Sequence, residues 1–251
     1  MSDDRVRPGL ASDLTARSEW RAHLPLLLCA LLGISTPSIS IYALGQFLAP
    51  LEAEFGWSRS EATAGLSVSL IFGFLVSPLV GRLVDKVNVR YLAISGLLLL
   101  ALGIAGFSLA TANLGLWIGL WAFHSGVGAF AGPTVWLAVI SHAFDRNRSL
   151  AIAIALCGNN LSTTFGPALA RFLLDEFGWR TAFQLLAACW IAPILLLALL
   201  VFFDRRQPGS GAPARHADRS VAPVRIRKVF LSGVFLRVGL ATVLVPNGFF
   251  R

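Results

Sequence analysis

Charge is what this chain has least of. Only 14% of its 251 residues are Asp, Glu, Lys or Arg, against 56% hydrophobic, which is too little charge to cover a water-soluble domain of this size. No Lys- and Arg-rich run with interleaved aromatics occurs outside short loops. The net charge of +8 therefore does not mark a nucleic-acid surface. The only three cysteines, Cys29, Cys157 and Cys189, all sit inside apolar runs. They read as small hydrophobes, which excludes a disulfide framework and a cysteine metal site. Residues stay polar to about His23, so no cleavable signal peptide is expected and the first apolar run is itself a span. The ten-residue alternation of membrane β-strands is missing too. Asp and Glu are absent from the centres of the main apolar runs, which favours a neutral or anionic organic ligand over a cation.

What is present is a series of apolar runs long enough to cross a bilayer as helices. Six are complete, at about His23 to Ala49, Glu61 to Val80, Tyr91 to Thr111, Leu116 to His142, Leu150 to Leu174 and Thr181 to Phe203. A seventh, Lys228 to Phe250, is incomplete and carries Arg237 near its middle, a costly placement unless a partner helix or cavity faces it. The expected organisation is an N-terminal tail over 1–23, a six-helix bundle over 24–203, a linker over 204–229 and a partial span over 230–251. The linker assignment rests on "DRRQPGSGAPARHADRSVAP", rich in Gly, Ser, Pro and Arg without apolar periodicity.

Sixteen of the 21 basic residues fall on one side of this arrangement, in the tail, in the loops after spans two and four, and after span six. Cytoplasmic loops accumulate Lys and Arg, so the expected topology is a multi-pass protein of the inner (plasma) membrane with a cytoplasmic N-terminus. Glu52, Glu54, Glu61, Asp175 and Glu176 lie on the opposite side. That side also holds both copies of a short repeat, "EFGW" at Glu54 to Trp57 and again at Glu176 to Trp179. The two loops are not equivalent positions in a three-helix repeat. Their likeness reads as a shared interfacial environment rather than a duplicated site.

Small residues recur in the spans. Gly65, Ser69, Gly73, Ser77 and Gly81 form a stripe at every fourth position of span two, a surface another helix backbone can approach. Gly166 and Pro167 are expected to bend span five.

The loop "GRLVDKVNVR", Gly81 to Arg90, resembles the signature loop of the major facilitator superfamily. Gly81, Asp85, Lys86 and Arg90 match it. Asn88 stands where the superfamily has an inner Gly and is expected to keep the turn by adopting a left-handed backbone. The resemblance implies that this loop is a charge–dipole latch that weakens when helices part. The stretches Phe144 to Phe183 and Tyr42 to Thr63 are similar to the monocarboxylate and oxalate/formate-like branches. Two features depart from the pattern: Ala122 stands where many proton-coupled members carry Arg, and only Gly158, Gly166 and Pro167 remain of an antiporter motif.

The resemblance covers about residues 24 to 203. It implies an all-α integral membrane fold, the six-helix N-terminal half of a major-facilitator-type bundle, followed by a partial seventh span. It also implies transport of a small solute by alternating access, with no enzymatic activity, cofactor or metal. In such an architecture the ligand lies near the bilayer midplane. The polar residues that could meet it are Tyr42 and Gln46 in span one, His124 in span four, and Asn159 and Asn160 in span five. Because the superfamily normally has 12 spans, the alternative is a truncated, transport-incompetent half, whose partner would be a second half or a second copy. An intramembrane protease is a remote third reading: it needs a Ser and a His on separate spans, and His124 and His142 share span four.

Overall fold

Hydropathy demands helices, and helices are what form. The computed structural model describes residues 8–204, with side chains over 20–202 apart from Asp85. Eight α-helices follow one another among these residues: α1 (Pro8–Ser35), α2 (Ile39–Phe55), α3 (Arg59–Lys86), α4 (Val89–Gly106), α5 (Leu114–Gly128), α6 (Pro133–Ala143), α7 (Arg148–Leu156) and α8 (Gly158–Asp204). Three short 3₁₀ turns are interspersed, and no strand occurs among the described residues. Both the linker and the seventh run lie outside them.

The eight helices make six spans. α1 and α2 are joined by the 3₁₀ turn Thr36–Ser38 and form span one; α3 and α4 are spans two and three. α5 and α6 make span four around the 3₁₀ turn Ala129–Ala131, with Gly132 extended at ψ 175° and Pro133 opening α6. α8 is a single hydrogen-bonded run of 47 residues, about 70 Å at helical rise and so about twice the depth of a bilayer core. Gly178, with φ 73° and ψ 163°, breaks it into two. The proof of the fold-back is that Ser162 and Trp190, 28 positions apart, both bond to Ser35. Span five is therefore α7 with α8 up to Gly178, and span six is the remainder.

The helices outrun the apolar runs because their ends are capped. Ser58 and Glu61 form a reciprocal capping box at the start of α3, and Gly56 ends α2 with a left-handed φ of 69°. α1 starts at Pro8, so much of the polar tail is helical as well. Asn88 corrects an expectation: its φ is −61° and ψ 118°, and its side chain caps α4 by accepting from the Arg90 amide at 3.1 Å. Glycine is thus not needed there; an N-cap side chain makes the turn instead.

Two parallel pairings set the register of the bundle. Along spans one and five, Gly158 meets Leu31, the Ser162 hydroxyl donates to the Ser35 carbonyl, and Gly166 meets Ile39. A Cβ on Gly158 would overlap the Leu31 carbonyl oxygen, so only glycine permits this approach. Along spans two and four, the Trp117 indole donates to the Ala62 carbonyl at 2.9 Å and Ser125 to the Ser69 carbonyl at 2.6 Å. Gly65 lies against the Trp121 ring and Gly73 against Ser125. The small-residue stripe is thus used over Gly65, Ser69 and Gly73. Ser77 is exposed and nothing approaches Gly81. Large aromatics fill the centre, with Phe47 stacked on Phe183 at 4.0 Å and Phe107 touching Trp117, Trp121 and Phe183.

Candidate functional site

In a bilayer an exposed polar side chain at mid-depth is costly unless it faces water or a ligand, so such residues mark the candidate site. Span five supplies the clearest case. Its backbone stays helical through Cys157, between α7 and α8, at φ −62° and ψ −16°, and the next residue, Gly158, pinches onto span one. Asn159, half-buried, and Asn160, exposed, follow directly. The Asn160 amide bonds to the Cys157 carbonyl at 3.0 Å, and the Thr163 hydroxyl returns to the Asn160 carbonyl at 2.9 Å. Neither asparagine side chain bonds another group among the described residues, and the pair lies about 18 Å of helical rise from Arg148.

Tyr42 is exposed and Gln46 half-buried, but they lie elsewhere. The span one and five register puts Asn159 and Asn160 level with Leu32 and Gly33, so Tyr42 stands roughly ten residues, or about 15 Å, further along the bundle. The structure does not gather these four into one constellation. His124 is withdrawn from any open face. It is 3% exposed, beneath the rings of Phe107 and Trp121 at 5.4 and 5.7 Å, and its Nδ1 has no hydrogen-bond partner among the described residues. The backbone stays helical through Gly166 and Pro167, where Gly166 serves as a contact to Ile39; the non-helical residue of α8 is Gly178.

At the basic end, Lys86 closes α3 and Asn88 opens α4, so the Gly81 to Arg90 loop turns between two helix termini. The Arg90 guanidinium lies over the Phe202 ring at 5.9 Å, which ties this loop to the end of span six.

At the acidic end the two EFGW elements meet. Glu54 of the first accepts from the Trp179 indole at 2.5 Å and from Arg180 at 2.6 Å in the second. Phe55 packs edge-on against Trp179, and Arg180 lies 4.2 Å over the Trp179 ring while reaching the Ala110 carbonyl. Trp57 donates to the Ala112 carbonyl at 3.3 Å. Both glycines, Gly56 and Gly178, hold positive φ. Three turns are thereby tied together. Sequence reasoning had the elements on one side but missed the contact between them; the signal available was an acid in one copy and an Arg directly following the other.

Comparison with known proteins accounts for this architecture. The family model described as Major Facilitator Superfamily matches residues 26–250. The chain belongs to the major facilitator superfamily. It is 32% identical over 208 residues to monocarboxylate transporter 13 of Bos taurus, covering 82% of this chain and 45% of that protein. It is 31% identical over 196 residues to the 4-hydroxybenzoate transporter PcaK of Acinetobacter baylyi, covering 75% of this chain and 39% of that one. Monocarboxylate transporter 11 of Mus musculus matches at 30% over 209 residues. This superfamily member is thus a multi-pass membrane protein of the monocarboxylate-like branch, and it spans less than half the length of these relatives.

Proposed function

We propose that this six-helix bundle forms one wall of the path of an alternating-access transporter for a small organic acid, carried as the anion or its neutral acid. The observation that carries the reading is the adjacent pair Asn159 and Asn160, presented at mid-depth of span five with Asn160 exposed. Adjacent amides in an apolar helix are costly against lipid and marked as functional by that cost. An amide can donate to a carboxylate and accept from a carboxylic acid, so Asn160 suits either form. The names of the relatives, which specify monocarboxylates and 4-hydroxybenzoate, supply the substrate class. Tyr42 and Gln46, about 15 and 20 Å away, would line the approach rather than the site itself. The Gly81 to Arg90 loop would act as the latch at the cytoplasmic end, with the acidic end outward in the plasma membrane.

The test is uptake and equilibrium binding of radiolabelled lactate and 4-hydroxybenzoate by the reconstituted full chain. Asn160→Ala should weaken apparent affinity about tenfold, the loss of one hydrogen bond to a charged group. Unchanged affinity in both Asn160→Ala and Asn159→Ala would sink the assignment.

A further inference from the structure

We infer that the crease between spans two and three is a binding site for a single anionic phospholipid. The crease encloses about 420 Å³ and is lined almost wholly by apolar groups, with Leu83 on α3, Val87 just past its end, and Tyr91, Ser95 and Leu98 on α4. It runs along α4 from Tyr91, 72% exposed beside the loop, to Leu98, 49% exposed. The two are seven residues apart, or about 10 Å of depth. Tyrosine favours the headgroup level of a bilayer, so the crease leads from that level into the hydrocarbon. Its natural filling there is an acyl chain.

The selection for charge comes from the same residues' neighbours. Arg82 directly precedes the lining residue Leu83, and Lys86 directly precedes Val87. Four residues apart on α3, they share one helix face, adjacent to the face that lines the crease. Both are exposed, and neither has an ion pair among the described residues. Their acidic neighbour in the loop is Asp85, so Arg82 and Lys86 together leave a net positive rim. An exposed pair of cations at headgroup level, above an apolar crease, is complementary to a lipid with a negative head and apolar tails. A zwitterionic lipid would use the crease without the rim. The Ser95 hydroxyl returns to its own helix at the Leu92 carbonyl, 3.2 Å away, so it makes no polar demand on an acyl chain.

Native mass spectrometry of the delipidated full chain, titrated with phosphatidylglycerol or phosphatidylcholine of matched chains, tests this. Each cation near an anionic headgroup strengthens binding about fivefold, so wild type should retain phosphatidylglycerol more than tenfold better. Arg82→Gln with Lys86→Gln should bring that ratio close to one while leaving phosphatidylcholine retention unchanged. Ser95→Phe, which fills the crease, should reduce retention of both lipids; Ser95→Leu serves if the larger side chain prevents folding. Inorganic phosphate at millimolar concentration should displace neither. Equal retention of the two lipids by wild type would overturn the proposal. So would a phosphatidylglycerol preference that survives the double substitution, since the charge would then act elsewhere on the surface.

Discussion

Replacing Gly158 by alanine should be among the most damaging single-methyl additions in this protein. A Cβ there would sit inside the Leu31 carbonyl oxygen and 2.7 Å from its carbon, so spans one and five must separate by roughly 1.5 Å to restore ordinary packing distance. The collision is with backbone, which cannot rotate away as a side chain can. Overpacking of this kind costs about 1–3 kcal/mol. The same separation stretches the Ser162 to Ser35 hydrogen bond one turn along the seam, worth about 1 kcal/mol, while alanine returns about 1 kcal/mol of helix propensity. The net expectation is a loss of about 1–3 kcal/mol. Gly126→Ala, in span four with nothing within 4 Å of its added methyl, is the control and should be neutral or stabilising by up to about 1 kcal/mol. Denaturation with sodium dodecyl sulfate in micelles, followed by tryptophan fluorescence, compares the two. Equal midpoints for Gly158→Ala and Gly126→Ala would refute the argument that this close approach sets the span one and five register.

Three further outcomes are expected. Glu54→Ala removes both bonds of the clasp; because the Glu54 and Arg180 side chains are 39% and 49% exposed, the loss should be modest, about 1–2 kcal/mol by the same assay. A double-mutant cycle with Arg180→Gln should show coupling that shrinks at high salt. Trp117→Phe deletes a fully buried indole donor and leaves the Ala62 carbonyl without it, which should cost about 2 kcal/mol in thermal or detergent unfolding. Orientation is read by labelling: in intact cells an impermeant maleimide should modify Ser60→Cys, at the exposed acidic end, and leave Lys86→Cys untouched until the membrane is opened. The reverse pattern would invert the topology.

Much of the fold was legible because the bilayer imposes one-dimensional rules. Apolar length reports a span, Arg and Lys excess reports a side, and the loop from Gly81 to Arg90 carries a family signature in four residues. The stripe of Gly65, Ser69 and Gly73 announced a close helix contact, though not that its partner is span four. The candidate site was legible only as a set of residue types. Asn159 and Asn160 were visible as amides in an apolar run, but the sequence held no sign that Tyr42 and Gln46 stand about 15 to 20 Å from them or that His124 is buried beneath Phe107 and Trp121. Those facts depend on register between helices more than a hundred residues apart, which is set by shape: a missing Cβ at Gly158, a Ser162 hydroxyl aimed at Ser35, an indole at Ala62. The EFGW pair shows the division most clearly. The order of the spans put both copies at one end of the bundle, and Trp, Gly and acid suit a membrane interface. That Glu54 grips Trp179 and Arg180 required the tertiary structure, because hydropathy assigns a depth to each residue and only the packing of whole helices assigns it a neighbour.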